Sequence, residues 1–217
     1  MMYMFGSTCG RSEFPQFHKD GKKKTMPRPY ETSRPGEDGR RFIQQAWFTK
    51  FVQDIEWAVI HFYCKHHPDK KKSKFILDKI KSSKQNIPPC CRISGTFFSH
   101  FTLIGTMEDN PIGLPGHYDK GDIVTALVHI GSPIEGGSTY YKDSTDGKVV
   151  KEIKCYHGRL QIGCFDSTFH GAYPWIGART SINLHLKASV LNHFEEYGCY
   201  YYRQLRNSKY QSSFRAY

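Results

Sequence analysis

Three observations predict a mainly β fold, a barrel or sandwich with flanking helices. Eight short extended segments lie between residues 96 and 186, Gly or Asp separates most of them, and helical periodicity is confined to the stretches before and after them. No strand–helix alternation argues for a parallel sheet.

The elements follow in order. Residues 1–40, rich in Gly, Pro, Ser and charge with the run Lys22-Lys23-Lys24, show no sustained period and are expected to form a flexible basic arm. The single domain expected over 41–217 opens with helices over 41–84. Ile43, Trp47, Phe51, Ile55, Val59 and Phe62 recur every three or four residues, which predicts an amphipathic helix over about 41–66 that backs the sheet. A second helix is expected over about 73–84, before Pro88-Pro89 breaks the chain. The β core, about 91–186, holds segments at 96–104, 114–119, 123–131, 137–142, 148–154, 159–165, 168–173 and 178–186. A closing helix is expected over 187–197, with Val190, Leu191 and Phe194 on one side and Gly198 as its stop. A basic aromatic tail completes the 187–217 stretch.

No apolar run approaches the roughly 20 residues that cross a membrane, so no membrane partner is expected. The opening Met1-Met-Tyr-Met-Phe-Gly-Ser lacks the layout of a secretion signal, and seven cysteines without a Cys-x-x-Cys fit reduced thiols. A cytoplasmic or nuclear protein is the expectation. The net charge of +11 is concentrated, with +6 in residues 65–84 and +4 in residues 200–217. Interleaved aromatics in the second stretch suit DNA or RNA as a partner, while an acidic protein or a plain solvated surface suits lysine-rich stretches equally.

Chemistry points to His117-Tyr118-Asp119. With 11 His and 20 acidic residues in 217 positions, about one His-x-Asp/Glu is expected by chance. The chain has four: His18/Asp20, His67/Asp69, His117/Asp119 and His193/Glu195. Only His117 and Asp119 lie in extended sequence, where a side-chain period of two puts both on one face. A second imidazole from His170 would complete a two-His, one-carboxylate set, which leaves about three positions of an octahedral ion open, as a non-haem Fe(II) oxygenase requires. Nine residues on, Arg179 begins a strand that alternates Arg179, Ser181, Asn183 and His185 against Thr180, Ile182, Leu184 and Leu186. The first face suits a wet cavity and the second a packed back, and the arginine can grip a carboxylate bidentately. His129 and His185 also sit on strands and compete for ligand duty, His157 less so. Tyr140 and Tyr141 suit packing, and His61, Cys64, His66 and His67 suit the polar end of a helix rather than a zinc site.

From about Cys91 to Leu186 the sequence resembles the 2-oxoglutarate- and Fe(II)-dependent dioxygenase superfamily. The likeness is carried by His117-Tyr-Asp119, Glu135-Gly-Gly-Ser-Thr-Tyr140, Gly158-Arg-Leu-Gln-Ile-Gly-Cys-Phe-Asp166, His170-Gly and Arg179-Thr-Ser181. The segment from His170 to Ser181 is also similar to the branch of thymine and methylcytosine hydroxylases. The resemblance implies a double-stranded β-helix core (jelly-roll or cupin-like) and a metal, Fe(II), on His117, Asp119 and His170. It also implies Arg179 and Ser181 on the distal carboxylate of 2-oxoglutarate, and O2 as the oxidant. The implied activity is C–H hydroxylation of a macromolecule, a nucleobase ahead of a protein side chain, with a small-metabolite hydroxylase and a non-catalytic metal-binding module as alternatives. No counterpart of the Asn-x-Tyr co-substrate motif precedes the dyad, so any further 2-oxoglutarate contact is unassigned.

Overall fold

A computed structural model of the chain describes residues 2–10, 26–30, 45–106 and 108–197. Among the described residues the strands are β1 (Met2–Gly10), β2 (Met26–Tyr30), β3 (His100–Thr106), β4 (Leu114–His117), β5 (Asp122–Ile130) and β6 (Glu135–Gly136). They continue with β7 (Thr139–Lys142), β8 (Val149–Ile153), β9 (Leu160–Gly163), β10 (Phe169–Ala172), β11 (Trp175–Ile176) and β12 (Arg179–Lys187). The α-helices are α1 (Ala46–His61), α2 (Lys70–Asn86) and α3 (Ala188–Tyr197). A large sheet has the order β2-β1-β3-β12-β5-β9, a facing sheet the order β4-β10-β7-β8, and β11 pairs β6 apart from both. Every pairing is antiparallel.

All eight extended segments contain strands, within a few residues at each end. The large sheet is two-faced for the reason seen in β12. Ile182, Leu184 and Leu186 join Phe101, Val124 and Ala126 on one side, packed against Phe48, Val52 and Val59 of α1, Ile76 and Ile80 of α2, and Val190 and Leu191 of α3. Fully burying one such side chain contributes about 1.5–3 kcal/mol, so this layer holds the helices to the sheet. The opposite side, with Arg179, Ser181, Asn183 and His185, faces the small sheet.

Four expectations are corrected or narrowed. The first helix begins at Ala46, and its last turn, Phe62–His66, is a π-helix; the widened turn brings His61 and His66 together, Nε2 to Nε2 3.3 Å. Helix α2 is longer than expected because Asp69, just after Pro68, caps it by accepting from the Lys72 N–H at 2.9 Å. Within the arm, 2–10 and 26–30 are strands: β1 pairs with the free edge of β3, and β2 with β1. Backbone pairing with an open edge needs no side-chain period, so composition did not reveal it. The remainder of the arm and the basic tail at 200–217 lie outside the described residues. Finally, β4 stops at His117, so Asp119 belongs to the turn into β5 rather than to a strand.

Candidate metal centre and anion anchor

Strand pairing builds the candidate metal centre. His117 and His170 are directly opposite on β4 and β10, so both imidazoles leave the same face, with ring centroids 4.5 Å apart. The turn after β4 then brings the carboxylate to them. The Asp119 N–H donates to the Phe165 carbonyl at 3.0 Å, the Asp122 N–H closes the turn on the Asp119 carbonyl at 3.1 Å, and the Gly121 N–H donates to Asp166 Oδ1 at 2.6 Å. Asp119 Oδ1 stands 3.5 Å from His117 Nε2, and Oδ2 stands 3.6 Å from His170 Nε2. The three donor atoms lie within 4.8 Å of one another.

These residues fit a divalent transition ion. Each Nδ1–H donates to a carbonyl two residues back, His117 to Pro115 at 2.9 Å and His170 to Thr168 at 3.0 Å. That assigns the proton to Nδ1 and leaves the Nε2 lone pair for a metal, the tautomer a ligating imidazole needs. At 3.5 and 3.6 Å the two imidazole–carboxylate contacts are long and weak, the His117 one at the outer limit of a hydrogen bond. Ligand bonds of about 2.1 Å at right angles would set such atoms about 3 Å apart, a small contraction.

Electrostatics divide the roles. Burial pushes the Asp119 carboxyl up, but the His117 hydrogen bond and the charges of His185, His170 and His117 outweigh it and bring the group down to about 2. Asp119 is therefore ionised at neutral pH. Burial lowers the His170 value, whereas the Asp119 hydrogen bond raises that of His117 above its ordinary 6.5. A proton on His117 would thus be the main competitor of a metal bound there. Metal affinity is expected to fall as pH drops through the raised His117 value, approaching about tenfold per pH unit for one displaced proton. Metal titrations over about pH 5–8 check this, and a flat profile would contradict it.

A second cluster, Asp119, Asp122 and His185, adjoins the first. It reads as a structural charge network. The Asp122 carboxylate forms an ion pair with the Lys187 ammonium and accepts from His185 Nδ1 at 2.7 Å and from Thr125 Oγ1 at 2.7 Å. His185 is thereby occupied, and His157, exposed, accepts from the Gly131 N–H at 2.9 Å.

Arg179 is 2% exposed and Ser181 is 2% exposed, on the same face of β12. The guanidinium Nε donates to the Gly137 carbonyl at 3.0 Å, a further N–H meets the Cys155 thiol, and the plane lies 5.1 Å from the Trp175 ring centroid. Gly137 has φ +71°, and a Cβ there would stand 3.1 Å from Arg179 Cδ, so the loop before β7 can approach the arginine only as glycine. Among the described residues no Asp or Glu pairs with Arg179. A buried cation without a carboxylate is costly unless an anion joins it. Sequence reasoning found the arginine but gave no role to Gly137, which enters only as part of a motif, and did not single out Cys155 or Trp175, which are distant along the chain and carry no spacing rule.

No protein-family model matches the sequence, and no curated protein matches it. Among solved structures, NgTET1 in complex with 5mC DNA is similar with a TM-score of 0.56 at 9% identity, over 85% of this chain and 59% of that one. A 2OG-Fe(II) oxygenase family oxidoreductase from Burkholderia pseudomallei gives a TM-score of 0.39 at 12% identity, over 87% and 69%. A Pseudomonas putida prolyl-4-hydroxylase gives 0.32 at 18% identity, over 42% and 54%. The chain spans 54% and 59% of the prolyl-4-hydroxylase and NgTET1 chains. Two facing antiparallel sheets and the NgTET1 likeness together give this chain a jelly-roll fold.

Proposed function

We propose that the protein is an Fe(II)- and 2-oxoglutarate-dependent dioxygenase that hydroxylates a C–H bond of a macromolecule, a nucleobase in DNA or RNA ahead of a protein side chain. The observation that carries this reading is the convergence of His117 Nε2, the Asp119 carboxylate and His170 Nε2 within 4.8 Å. When bound, Fe(II) with 2-oxoglutarate and O2 supplies the oxidising power, with succinate and CO2 as by-products. His117, Asp119 and His170 would hold the ion with three ligands, a set that leaves it able to take the keto acid and oxygen as well. Arg179 and Ser181 receive the distal carboxylate, which fixes the direction in which the co-substrate enters. His170, packed between the Phe165 and Tyr141 rings at 4.8 and 6.2 Å, keeps the inner side of the centre dry. His117, half-exposed, marks the side open to substrate.

Two observations favour a nucleic acid. The NgTET1 structure was solved with 5mC DNA. Helix α2 presents Lys70, Lys71, Lys72, Lys74 and Lys81 exposed, none paired with an acidic side chain among the described residues. Such a face can track phosphates.

Succinate formation with Fe(II), 2-oxoglutarate and a panel of oligonucleotides, peptides and small metabolites tests the reading. Stimulation by an oligonucleotide, weakening steeply with salt, is the expected result. Stimulation by peptides or metabolites alone would contradict the nucleobase assignment, and no succinate under any condition would contradict the dioxygenase.

A further inference from the structure

Beside Arg179 and Ser181 lies a histidine that neither the metal set nor the fold employs. His129, 0% exposed, sits opposite Ser181 in the register of β5 and β12. Opposite residues of an antiparallel pair share a face, so His129, Ser181 and Arg179 line one patch of the interior. Burial, with the charges of Arg179 and Arg159 beside it, keeps the His129 ring neutral, its value held down at about 4.

The neighbours of His129 decide which ring nitrogen carries the proton. Gln161, on β9, accepts at Oε1 from the Tyr141 hydroxyl. Its amide nitrogen then faces His129 Nε2 at 2.9 Å and Thr139 Oγ1 at 3.4 Å. An amide NH2 only donates, so His129 Nε2 accepts and Nδ1 bears the hydrogen. That Nδ1 is buried and has no hydrogen-bond partner. A buried donor left unsatisfied is destabilising, and a polar pocket that keeps one is arranged for an acceptor that arrives later.

The geometry points to His129 as a third donor to the distal carboxylate of 2-oxoglutarate, beside Arg179 and Ser181, with Gln161 and Tyr141 as positioning residues that lock its Nδ1–H tautomer. This rests on the oxygenase reading above. Guanidinium, hydroxyl and Nδ1–H together can donate and bring no negative charge, which suits an acceptor-only group. The tautomer lock gives the patch its sense: with the proton on Nε2 instead, a lone pair would face the anion and repel it. The unassigned co-substrate contact in this chain is therefore supplied from β5, not from the segment before the metal dyad.

The protein loaded with Mn(II), under argon, provides the test by calorimetry. Two ligands are compared: 2-oxoglutarate, and 2-oxobutyrate, which keeps the keto acid and lacks the distal carboxylate. His129→Leu is expected to weaken 2-oxoglutarate about 10- to 100-fold and leave 2-oxobutyrate and Mn(II) unchanged. His129→Asn, whose amide can place an N–H near the Nδ1 position, is expected to recover most of the loss. Nitrogen NMR of the wild-type protein should show a neutral His129 protonated at Nδ1, its signal moving when 2-oxoglutarate binds.

Unchanged 2-oxoglutarate affinity in His129→Leu, with a large loss in Arg179→Ala, would overturn this role and leave the oxygenase reading intact. Equal weakening of both keto acids would reduce His129 to a structural residue and overturn it too. An Nε2-protonated ring would do the same, and that readout needs no variant. Failure of the wild-type protein to bind either keto acid would instead remove the oxygenase reading on which the assignment stands.

Discussion

His170→Ala is expected to lower divalent-metal affinity by more than about 100-fold and to abolish succinate formation, with the fold retained. Loss of a residue that only supports a metal ligand typically costs 10–100-fold in affinity or activity, so loss of a ligand itself should cost more. The substitution removes one of three donors and leaves Asp119 facing His117 alone. It also opens a space beside Phe165 and Tyr141, but the main hydrophobic layer lies on the other side of the large sheet. The structural cost should therefore stay near the usual 0.5–3 kcal/mol of a single substitution. Metal titration together with a thermal melt separates the two effects. Wild-type metal affinity in a folded His170→Ala protein would remove His170 from the centre.

Arg179→Ala is expected to weaken 2-oxoglutarate by at least about 30-fold while metal binding stays within about twofold of wild type. Truncating one partner of a buried, hydrogen-bonded charge pair costs about 2–5 kcal/mol, and the lower end of that range corresponds to roughly 30-fold. Arg179→Lys should not restore it. An ammonium is a point charge that cannot reproduce the planar fork, the Nε bond to Gly137 or the packing on Trp175. Full recovery by lysine would show that charge alone matters at this position. Unchanged affinity in the alanine variant would place the co-substrate carboxylate elsewhere.

Much of this architecture was legible in the sequence because both periods are local properties. The alternation from Arg179 to Leu186 assigned its apolar residues to the helices, and the structure packs Ile182, Leu184 and Leu186 in that layer with Arg179, Ser181 and His185 buried on the opposite face. The spacing of His117 and Asp119 singled out a pair that the structure does bring together, but for an incomplete reason. Asp119 reaches the centre by a turn tied to Phe165 and Asp166, not by strand alternation. Register was not legible: β10 pairs β4 with a shift between His170 and Ala172, and only that pairing brings His170 opposite His117. The strands in the arm were also hidden, since an edge is completed by backbone groups whatever the side chains. His129 was visible only as a rival ligand. Its relation to Gln161 depends on β5 and β9 being neighbours, which no window of sequence contains.

Calorimetric binding of 2-oxoglutarate under anaerobic conditions, with and without Fe(II), addresses the central claim most directly. The His117, Asp119 and His170 face with Arg179 behind it predicts one equivalent of keto acid bound tightly only when the metal is present, and lost in His170→Ala. Binding of equal strength after the metal is chelated away, or none with the metal present, would contradict it.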